Sequence, residues 1–158
     1  MKKIKLFIMD VDGTLTDGQI YMGQDGELFK VFNIKDGYGI KKLLENNIIP
    51  VIITSRKSKI VELRAEELGV LEVYQAVDNK IEQLNKLAYK YGCKLDEIAY
   101  VGDDDNDFHC INMCGLSGCP DDSSQLIKEN VDFVSKYDGG NGAVRDFIEY
   151  LLAKYYLN

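Results

Sequence analysis

Three clusters of acidic and polar residues each follow a short apolar run. They are Asp10-Val11-Asp12, Thr54-Ser55-Arg56 and Gly102-Asp103-Asp104. A lysine, Lys80, opens a helical pattern ahead of the third cluster. Because ligands of an open parallel sheet bind beyond the carboxyl ends of its strands, we expect these side chains to meet in one crevice.

A crevice of this composition suits the chemistry of phosphate esters. Carboxylates that crowd together repel one another, so the site makes sense only with a hard cation. Mg²⁺ accepts one or two carboxylates together with waters and phosphate oxygens. Lys80, Mg²⁺ and a hydroxyl or backbone N–H group would neutralise the negative charge of a phosphoryl group.

Carboxylates in such a crevice can also take part in the reaction. One carboxylate among them can attack phosphorus and form an aspartyl-phosphate. Asp12, two residues after Asp10, would protonate the leaving oxygen and then activate water. Gly13 permits a tight turn that brings backbone N–H groups to the phosphate.

Apolar runs of strand length alternate with helical patterns along the chain. We predict strands at residues 4–9, 49–53 and 98–101, and weaker ones at 73–76, 116–118 and 133–134. We predict helices at residues 37–46, 58–68, 79–91, 105–113, 123–129 and 143–154. This alternation predicts an α/β fold with a central parallel sheet flanked by helices, in one domain over residues 1–158.

One segment breaks the alternation of strands and helices. Residues 19–33 are predicted to form two short strands around a Gly-Gln-Asp-Gly turn. This β-hairpin would be inserted directly after the first strand. No internal repeat, low-complexity tract or interdomain linker is visible in the sequence.

The charge and the cysteine content argue against several classes of function. A formal net charge of -7 disfavours nucleic acid or an anionic membrane as the partner, since both need a basic face. No run approaches the roughly 18 apolar residues of a membrane span, so we expect a cytoplasmic protein. The four cysteines lack the paired spacing of zinc sites, and the single histidine argues against Ser-His or Cys-His catalysis.

The order of the motifs carries a resemblance to a known family. The chain contains, in sequence, Asp10-x-Asp12-Gly13-Thr14, Thr54, Lys80 and Gly102-Asp103-Asp104-x-Asn106-Asp107. These resemble the four ordered motifs of the haloacid dehalogenase-like (HAD) phosphatase superfamily. The resemblance implies a Rossmann-like fold and Mg²⁺-dependent hydrolysis of a phosphate ester.

The resemblance also implies a role for each catalytic position. Asp10 would be the nucleophile and a metal ligand. Asp12 would be the general acid and base, and its backbone carbonyl would bind the metal. Thr54 would hydrogen-bond the phosphoryl oxygens, and Lys80 would fix Asp10 and the phosphate.

The third acidic cluster would complete the metal site in this family. Asp103 would be the third protein ligand. Asp104 and Asp107 would hold metal-bound waters or orient Lys80. Read without the resemblance, these acids are also typical of a solvated helix start.

A narrower resemblance concerns the hairpin and the segments near it. The hairpin, the following FNIKDGYGI (residues 32–40) and the later GGNGAVR (residues 139–145) resemble a branch of the superfamily without a cap domain. That branch hydrolyses 3-deoxy-octulosonate 8-phosphate, and it includes nonulosonate 9-phosphate phosphatases and domains fused to sialic-acid cytidylyltransferases. The branch implies a homotetramer in which the hairpin of one subunit, or a surface next to it, covers the active site of the next subunit.

The substrate-binding residues are expected around the second polar cluster. In this branch an arginine after the Thr-Ser pair, here Arg56, favours the octulosonate over the nonulosonate, and it suits a substrate carboxylate. Gly13, Ser55 and Arg64 complete the predicted substrate-binding set. Two features depart from the usual pattern of this branch. Ser55 stands where glycine is usual, and the stretch after Asp107 differs from the typical sequence.

Three other interpretations of the motifs compete with a phosphatase. A two-component receiver domain also phosphorylates an Asp beside Mg²⁺, but it places its lysine at the last strand and not before the acidic cluster. A non-catalytic assembly domain would be expected to lose a motif residue, and none is lost. A phosphoryl-transferring mutase needs a cap to retain its intermediate, and this sequence leaves no room for one.

Overall fold

A six-stranded parallel sheet in the order β5-β4-β1-β6-β7-β8 forms the centre of the molecule. The computed structural model describes residues 3–156. The strands of this sheet are β1 (Leu6–Met9), β4 (Ile49–Ile53), β5 (Glu72–Tyr74), β6 (Ile98–Val101), β7 (Leu116–Cys119) and β8 (Phe133–Val134). Strand β1 lies between β4 and β6, with Leu6 opposite both Ile49 and Ile98.

Helices cover both faces of the sheet. They are α1 (Ile34–Glu45), α2 (Lys59–Leu68), α3 (Lys80–Lys90), α4 (Phe108–Met113), α5 (Gln125–Lys128) and α6 (Ala143–Tyr155). All four residues of β1 are buried, and alternate residues face different cores: Phe7 packs against Phe147 of α6, while Ile8 lies in a cluster with Leu84 of α3. The predicted α/β fold with a flanked parallel sheet is confirmed.

Side-chain caps fix the start of the helices that lead away from the site. Asn33, Ser58 and Asn79 each accept a hydrogen bond from a backbone amide in the first turn of α1, α2 and α3. Such caps satisfy amides that have no partner within the helix. The cap at Asn79 places Lys80 at the first position of α3, next to the carboxyl ends of the strands.

Helix α1 begins at Ile34, three residues before the predicted start at Gly37. The predicted start was too late because glycine weakens a helix, whereas Gly37 and Gly39 both lie inside α1. A Cβ on Gly37 would come 2.6 Å from Nη2 of Arg64, and a Cβ on Gly39 would come 3.0 Å from Cδ of Arg145. A larger residue at either position would have to displace these side chains, so the glycines suit the close packing of α1.

The predicted helix at residues 105–113 is divided into two pieces. A 3₁₀ turn over Asp105–Asp107 precedes α4, which starts at Phe108. Asp107 accepts hydrogen bonds from the backbone amides of Asp103 and Asp104, which tightens the chain at this point. Residues 105–107 therefore belong to the loop after β6 and not to a regular helix.

The predicted hairpin forms a separate two-stranded antiparallel sheet, β2 (Tyr21–Gly23) with β3 (Gly26–Phe29). The rings of Tyr21 and Phe29 stack across it, with centroids 4.4 Å apart. Four apolar side chains of the hairpin and its exit are exposed: Met22, Leu28, Phe29 and Val31. Within residues 3–156 no other insertion forms a cap over the edge of the sheet.

None of the helices in residues 3–156 has the length and the apolar character needed to cross a membrane.

A buried carboxylate links α1 to α6. Oδ1 of Asp36 accepts a hydrogen bond of 2.8 Å from the amide of Arg145, and Oδ2 is buried without a hydrogen-bond partner in the described residues. Burial raises the pKa of Asp36 to about 6, although hydrogen bonds from the start of α6 oppose this rise. The ionised carboxylate therefore destabilises the fold relative to its protonated form.

Replacing Asp36 with Asn should change how stability depends on pH. Since the folded pKa lies above the unfolded value of 3.8, the native state holds this proton more tightly, and the free energy of unfolding falls as the pH rises towards the folded pKa. Between about pH 5 and about pH 7 we expect the parent to lose about 1 kcal/mol relative to Asp36→Asn. Urea unfolding at several pH values measures this difference. Asp25→Asn, in the exposed hairpin turn, controls for net charge, and a difference independent of pH would contradict the role given to Asp36.

Candidate active site

The side chains predicted to meet do converge at the carboxyl edge of the sheet. Asp10 directly follows β1, Thr54 follows β4, and Gly102 follows β6. Because β1 is hydrogen-bonded to both β4 and β6, the three strand ends are neighbours. A cavity of about 190 Å³ lies there, lined by Asp10, Asp12, Thr54, Ser55, Arg56, Asp104 and Asn106.

Lys80 bridges two buried carboxylates beside this cavity. Its Nζ lies 3.1 Å from Oδ1 of Asp10 and 2.7 Å from Oδ1 of Asp107, and its side chain is 3% exposed. Burial alone would lower the pKa of Lys80, but the charges of the two carboxylates outweigh burial and raise it. Burial, and then the charge of Asp107, raise the pKa of Asp10 to about 6, while Lys80 opposes this rise. Lys80 therefore stays protonated and holds Asp10 in place.

Asp107 is fully occupied by groups of the protein. Oδ1 accepts from Lys80 and, at 2.6 Å, from the hydroxyl of Tyr100, while Oδ2 accepts from the amides of Asp103 and Asp104. Gly102 is required by this arrangement, because a Cβ there would come 2.4 Å from the carboxylate carbon of Asp107. Asp107 can thus orient Lys80 and the loop after β6.

Asp10, Asp103 and Asp107 form a cluster in which one oxygen of each lies within 4.8 Å of the others. Oδ1 of Asp103 accepts a hydrogen bond of 2.8 Å from the hydroxyl of Thr14. Burial, followed by the charge of Asp10, raises the pKa of Asp103 to about 8. A cluster whose ionisation is opposed so strongly, and whose donors are all oxygen, fits a hard divalent cation such as Mg²⁺.

Gly13 allows the loop after β1 to approach this cluster. It has a φ of +89°, and a Cβ on it would lie 2.0 Å from Oδ2 of Asp103. Its amide donates to the hydroxyl of Thr16 at 3.2 Å and is not directed at the cavity. The glycine therefore serves the close contact with Asp103 in the present arrangement.

Asp12 is held by a second buried lysine, which comes from the hairpin. Nζ of Lys30 lies 2.5 Å from Oδ1 of Asp12 and 2.9 Å from Oε1 of Glu27, and the Lys30 side chain is 2% exposed. Burial alone would lower the pKa of Lys30, but its two carboxylate partners raise it. The hairpin thus contributes a charge to the site.

Thr54, Ser55 and Arg56 line the cavity together with the acidic residues. Thr54 is buried, and the hydroxyl of Ser55 accepts a hydrogen bond of 3.5 Å from Asn106. The Arg56 side chain is 51% exposed, and its Nε lies 4.0 Å from Oδ2 of Asp12. Arg56 therefore lies at the mouth of the cavity and keeps donors free for a ligand.

Arg64 does not line this cavity. Its Nη1 donates to Glu67 at 2.9 Å and its Nη2 to the carbonyl of Asn33 at 3.4 Å. The guanidinium packs over the ring of Phe32 and lines a separate small cavity between α1 and α2. Its position in the middle of α2 directs it towards α1. Arg64 thus lies outside this crevice within one subunit, and its contact with substrate stays a prediction.

Sequence reasoning missed three residues that hold the site together. Thr14 donates to Asp103, and its place in the first motif was a sequence signal for a role in the site. Tyr100 is fully buried within an apolar strand, and a buried tyrosine hydroxyl needs a partner. Lys30 gave no signal, because a single lysine in a hairpin is ordinarily a surface residue.

The sequence matches one family model and is similar to curated proteins. The model described as haloacid dehalogenase-like hydrolase matches residues 54–148. The 3-deoxy-D-manno-octulosonate 8-phosphate phosphatase of Salmonella typhi is 44% identical over 151 residues, which are 96% of this chain and 80% of that protein. The similarity therefore extends over the fold and is not confined to the motifs.

Solved structures show the same architecture. The 3-deoxy-D-manno-octulosonate 8-phosphate phosphatase of Moraxella catarrhalis, in complex with a magnesium ion, a phosphate ion and a KDO molecule, aligns with a TM-score of 0.94 at 39% identity over 98% of this chain and 88% of that chain. The cobalt-bound deoxy-D-mannose-octulosonate 8-phosphate phosphatase of Haemophilus influenzae aligns with a TM-score of 0.92 at 34% identity, over 96% and 89% of the two chains.

Replacing Asp103 with Asn should relieve repulsion in the cluster and remove a cation ligand. In neutral buffer with EDTA, we expect the variant to unfold at a temperature about 5 °C higher than the parent. Mg²⁺ should raise the unfolding temperature of the parent and leave that of the variant nearly unchanged. Differential scanning calorimetry measures both effects. Asp105→Asn, at an exposed position, should keep the parent's response, whereas an equal response of Asp103→Asn to Mg²⁺ would contradict the ligand assignment.

Proposed function

The chain belongs to the haloacid dehalogenase-like hydrolases and is a phosphatase of that family, and we propose that it hydrolyses 3-deoxy-D-manno-octulosonate 8-phosphate through an aspartyl-phosphate on Asp10. The observation that carries this proposal is the position of Asp10. Its carboxylate lines the cavity, is paired with Lys80, and lies beside Asp103. A carboxylate held in this way is a nucleophile placed next to groups that can neutralise a phosphoryl group.

The residues of the chain divide the reaction as follows. Oδ of Asp10 attacks phosphorus as the bond to the ester oxygen breaks, and Asp12 passes a proton to that departing oxygen. Lys80 offsets negative charge on the phosphoryl group, and the Thr54 hydroxyl donates to it. Asp12 then takes a proton from the water that attacks the aspartyl-phosphate, which releases inorganic phosphate and restores Asp10.

Asp10, Asp103 and the backbone carbonyl of Asp12 would hold Mg²⁺. When bound, Mg²⁺ supplies positive charge to the phosphoryl oxygens. Asp104 lies exposed at the cavity and is placed to hold water near the ion, while Asp107 orients Lys80. The oxygen-only donor set and the raised pKa of Asp103 support this assignment.

The substrate is proposed from Arg56 and from the relatives. A sugar acid carries a carboxylate away from its phosphate, and the half-exposed guanidinium of Arg56 at the mouth of the cavity suits it. Ser55 is placed to contact the same part of the ligand. A nonulosonate 9-phosphate carries the same pair of groups, but the relative with 44% identity acts, by its name, on the octulosonate.

We propose further that the protein is a homotetramer whose hairpin covers the active site of a neighbour. The exposed side chains of Met22, Leu28, Phe29 and Val31 give the hairpin an apolar surface that another subunit would bury. A second subunit over the cavity would also exclude water from a site that has no cap of its own within the described residues. The cytoplasmic location predicted from the sequence stays a prediction.

Replacing Asp10 with Asn should abolish hydrolysis of octulosonate 8-phosphate, because an amide cannot form the phosphoryl intermediate. We expect kcat to fall by at least about a thousandfold, with the fold retained. Phosphate release in the presence of Mg²⁺ measures the activity, and acid-quenched mass spectrometry detects the phosphorylated parent. Asp105→Asn, which removes a nearby exposed carboxylate, is the matched control and should stay active. Activity that survives Asp10→Asn would remove the nucleophile assignment.

Replacing Arg56 with Met should lower activity on the sugar acid ester and leave activity on a neutral sugar phosphate nearly unchanged. We expect kcat/KM for octulosonate 8-phosphate to fall by about tenfold to a hundredfold, since a charge-assisted hydrogen bond to the carboxylate is lost. The value for a neutral hexose phosphate should change little. Steady-state kinetics on both esters measures the two values. An equal loss of kcat/KM on both would show that Arg56 does not bind the substrate carboxylate.

A further inference from the structure

We propose that Lys30 is a positioning residue for catalysis, which fixes the carboxylate of Asp12 in the orientation from which it protonates the leaving group. This proposal rests on the proposed function, because it acts through the general-acid role of Asp12. Lys30 follows strand β3 of the hairpin, whereas Asp12 lies in the loop after β1. The inserted hairpin would thus have a part in the chemistry of its own subunit, separate from any contact with a neighbour.

The contact between the two side chains is close and largely shielded from solvent. Nζ of Lys30 lies 2.5 Å from Oδ1 of Asp12, and only 2% of the Lys30 side chain is exposed. The other oxygen of Asp12 lies 4.0 Å from the half-exposed Arg56. Lys30 is therefore the cation, among the described residues, that holds one defined oxygen of Asp12. The second oxygen has no cation this close, and Asp12 lines the cavity.

Lys30 is itself fixed by partners outside the catalytic residues. Oε1 of Glu27 lies 2.9 Å from Nζ of Lys30, and Oε2 of Glu27 accepts a hydrogen bond of 2.5 Å from the hydroxyl of Ser58. Ser58 in turn caps α2 by accepting from the amide of Ile60. Glu27 stays paired with Lys30 whether Asp12 is protonated or ionised. Lys30 therefore need not move during the reaction.

Stability alone does not account for this arrangement. A buried ion pair loses solvation free energy of both groups, and apolar residues of similar size often stabilise a fold equally well. The hairpin also has a stacked ring pair, Tyr21 and Phe29, that holds its strands together without any charge. A lysine buried against the predicted acid of the reaction is explained better by a requirement for the orientation of Asp12.

The test compares two phosphate esters that differ in their need for a proton. The sugar alkoxide of octulosonate 8-phosphate must be protonated as it departs, whereas 4-nitrophenolate departs as a stable anion. With Mg²⁺ present, we expect Lys30→Met to lower kcat/KM for the octulosonate ester by at least about tenfold, and that for 4-nitrophenyl phosphate by less than about twofold. Lys30→Gln should give the same pattern, and Lys30→Arg should restore part of the loss.

A double variant tests whether Lys30 acts through Asp12. Asp12→Asn should show the same dependence on the leaving group, and adding Lys30→Met to it should lower kcat/KM by no more than about twofold further. Lys86→Met removes the exposed pair with Glu82 on α3 and is the matched control, which should match the parent on both esters. If Lys30→Met does not fold, the double variant Lys30→Met/Glu27→Gln takes its place in the test. The double variant removes the carboxylate of Glu27, which Lys30→Met alone would leave without its cation.

The outcomes separate this proposal from the proposed function. An equal loss on both esters in the Lys30 variants, or a loss that multiplies with that of Asp12→Asn, would overturn the positioning role while the phosphatase assignment stands. If Asp12→Asn itself does not discriminate between the esters, the general-acid role fails, and the role of Lys30 fails with it. Loss of all activity in Asp10→Asn is expected in every one of these cases.

Discussion

The concentration of negative charge at the end of β1 is the constraint on which the rest of the structure depends. Asp10, Asp103 and Asp107 come within 4.8 Å of one another in a largely buried setting, and the pKa of Asp103 is raised to about 8 as a result. Such a cluster persists only where cations and hydrogen-bond donors offset its repulsion. Lys80 supplies one buried positive charge, and Tyr100 and Thr14 supply hydroxyl donors.

The fold meets this constraint with elements that are distant in the sequence. Lys80 reaches the site because Asn79 starts α3 at the carboxyl edge, and Asp107 reaches it because the chain after β6 turns tightly before α4 begins. Gly13 and Gly102 remove the Cβ atoms that would otherwise strike Asp103 and Asp107. The glycines of the motifs are thus explained by the space that the carboxylates need.

The hairpin adds a second positive charge to the same edge. Its strands form their own small sheet, yet Lys30 at its exit contacts Asp12, and Glu27 contacts the cap of α2. The insertion therefore has two surfaces with different chemistry. Four of its apolar side chains are exposed, whereas Lys30 contacts Asp12 of the catalytic loop.

The sequence by itself determined the α/β class, the hairpin after β1, and the three clusters of polar residues at strand ends. It did so because buried parallel strands are continuous apolar runs, and because strand ends in such a sheet share one edge. It did not determine the start of α1, since the intrinsic weakness of Gly37 and Gly39 in a helix is outweighed by packing that no local pattern records. Only the tertiary structure decided that Arg64 faces α1 and that Lys30 faces Asp12. Residues three apart in a strand point to opposite faces. Glu27 can pair with Lys30 only because strand β3 ends at Phe29. The contacts that a side chain makes beyond the end of a strand are fixed by the packing of the whole chain, which no local sequence pattern records.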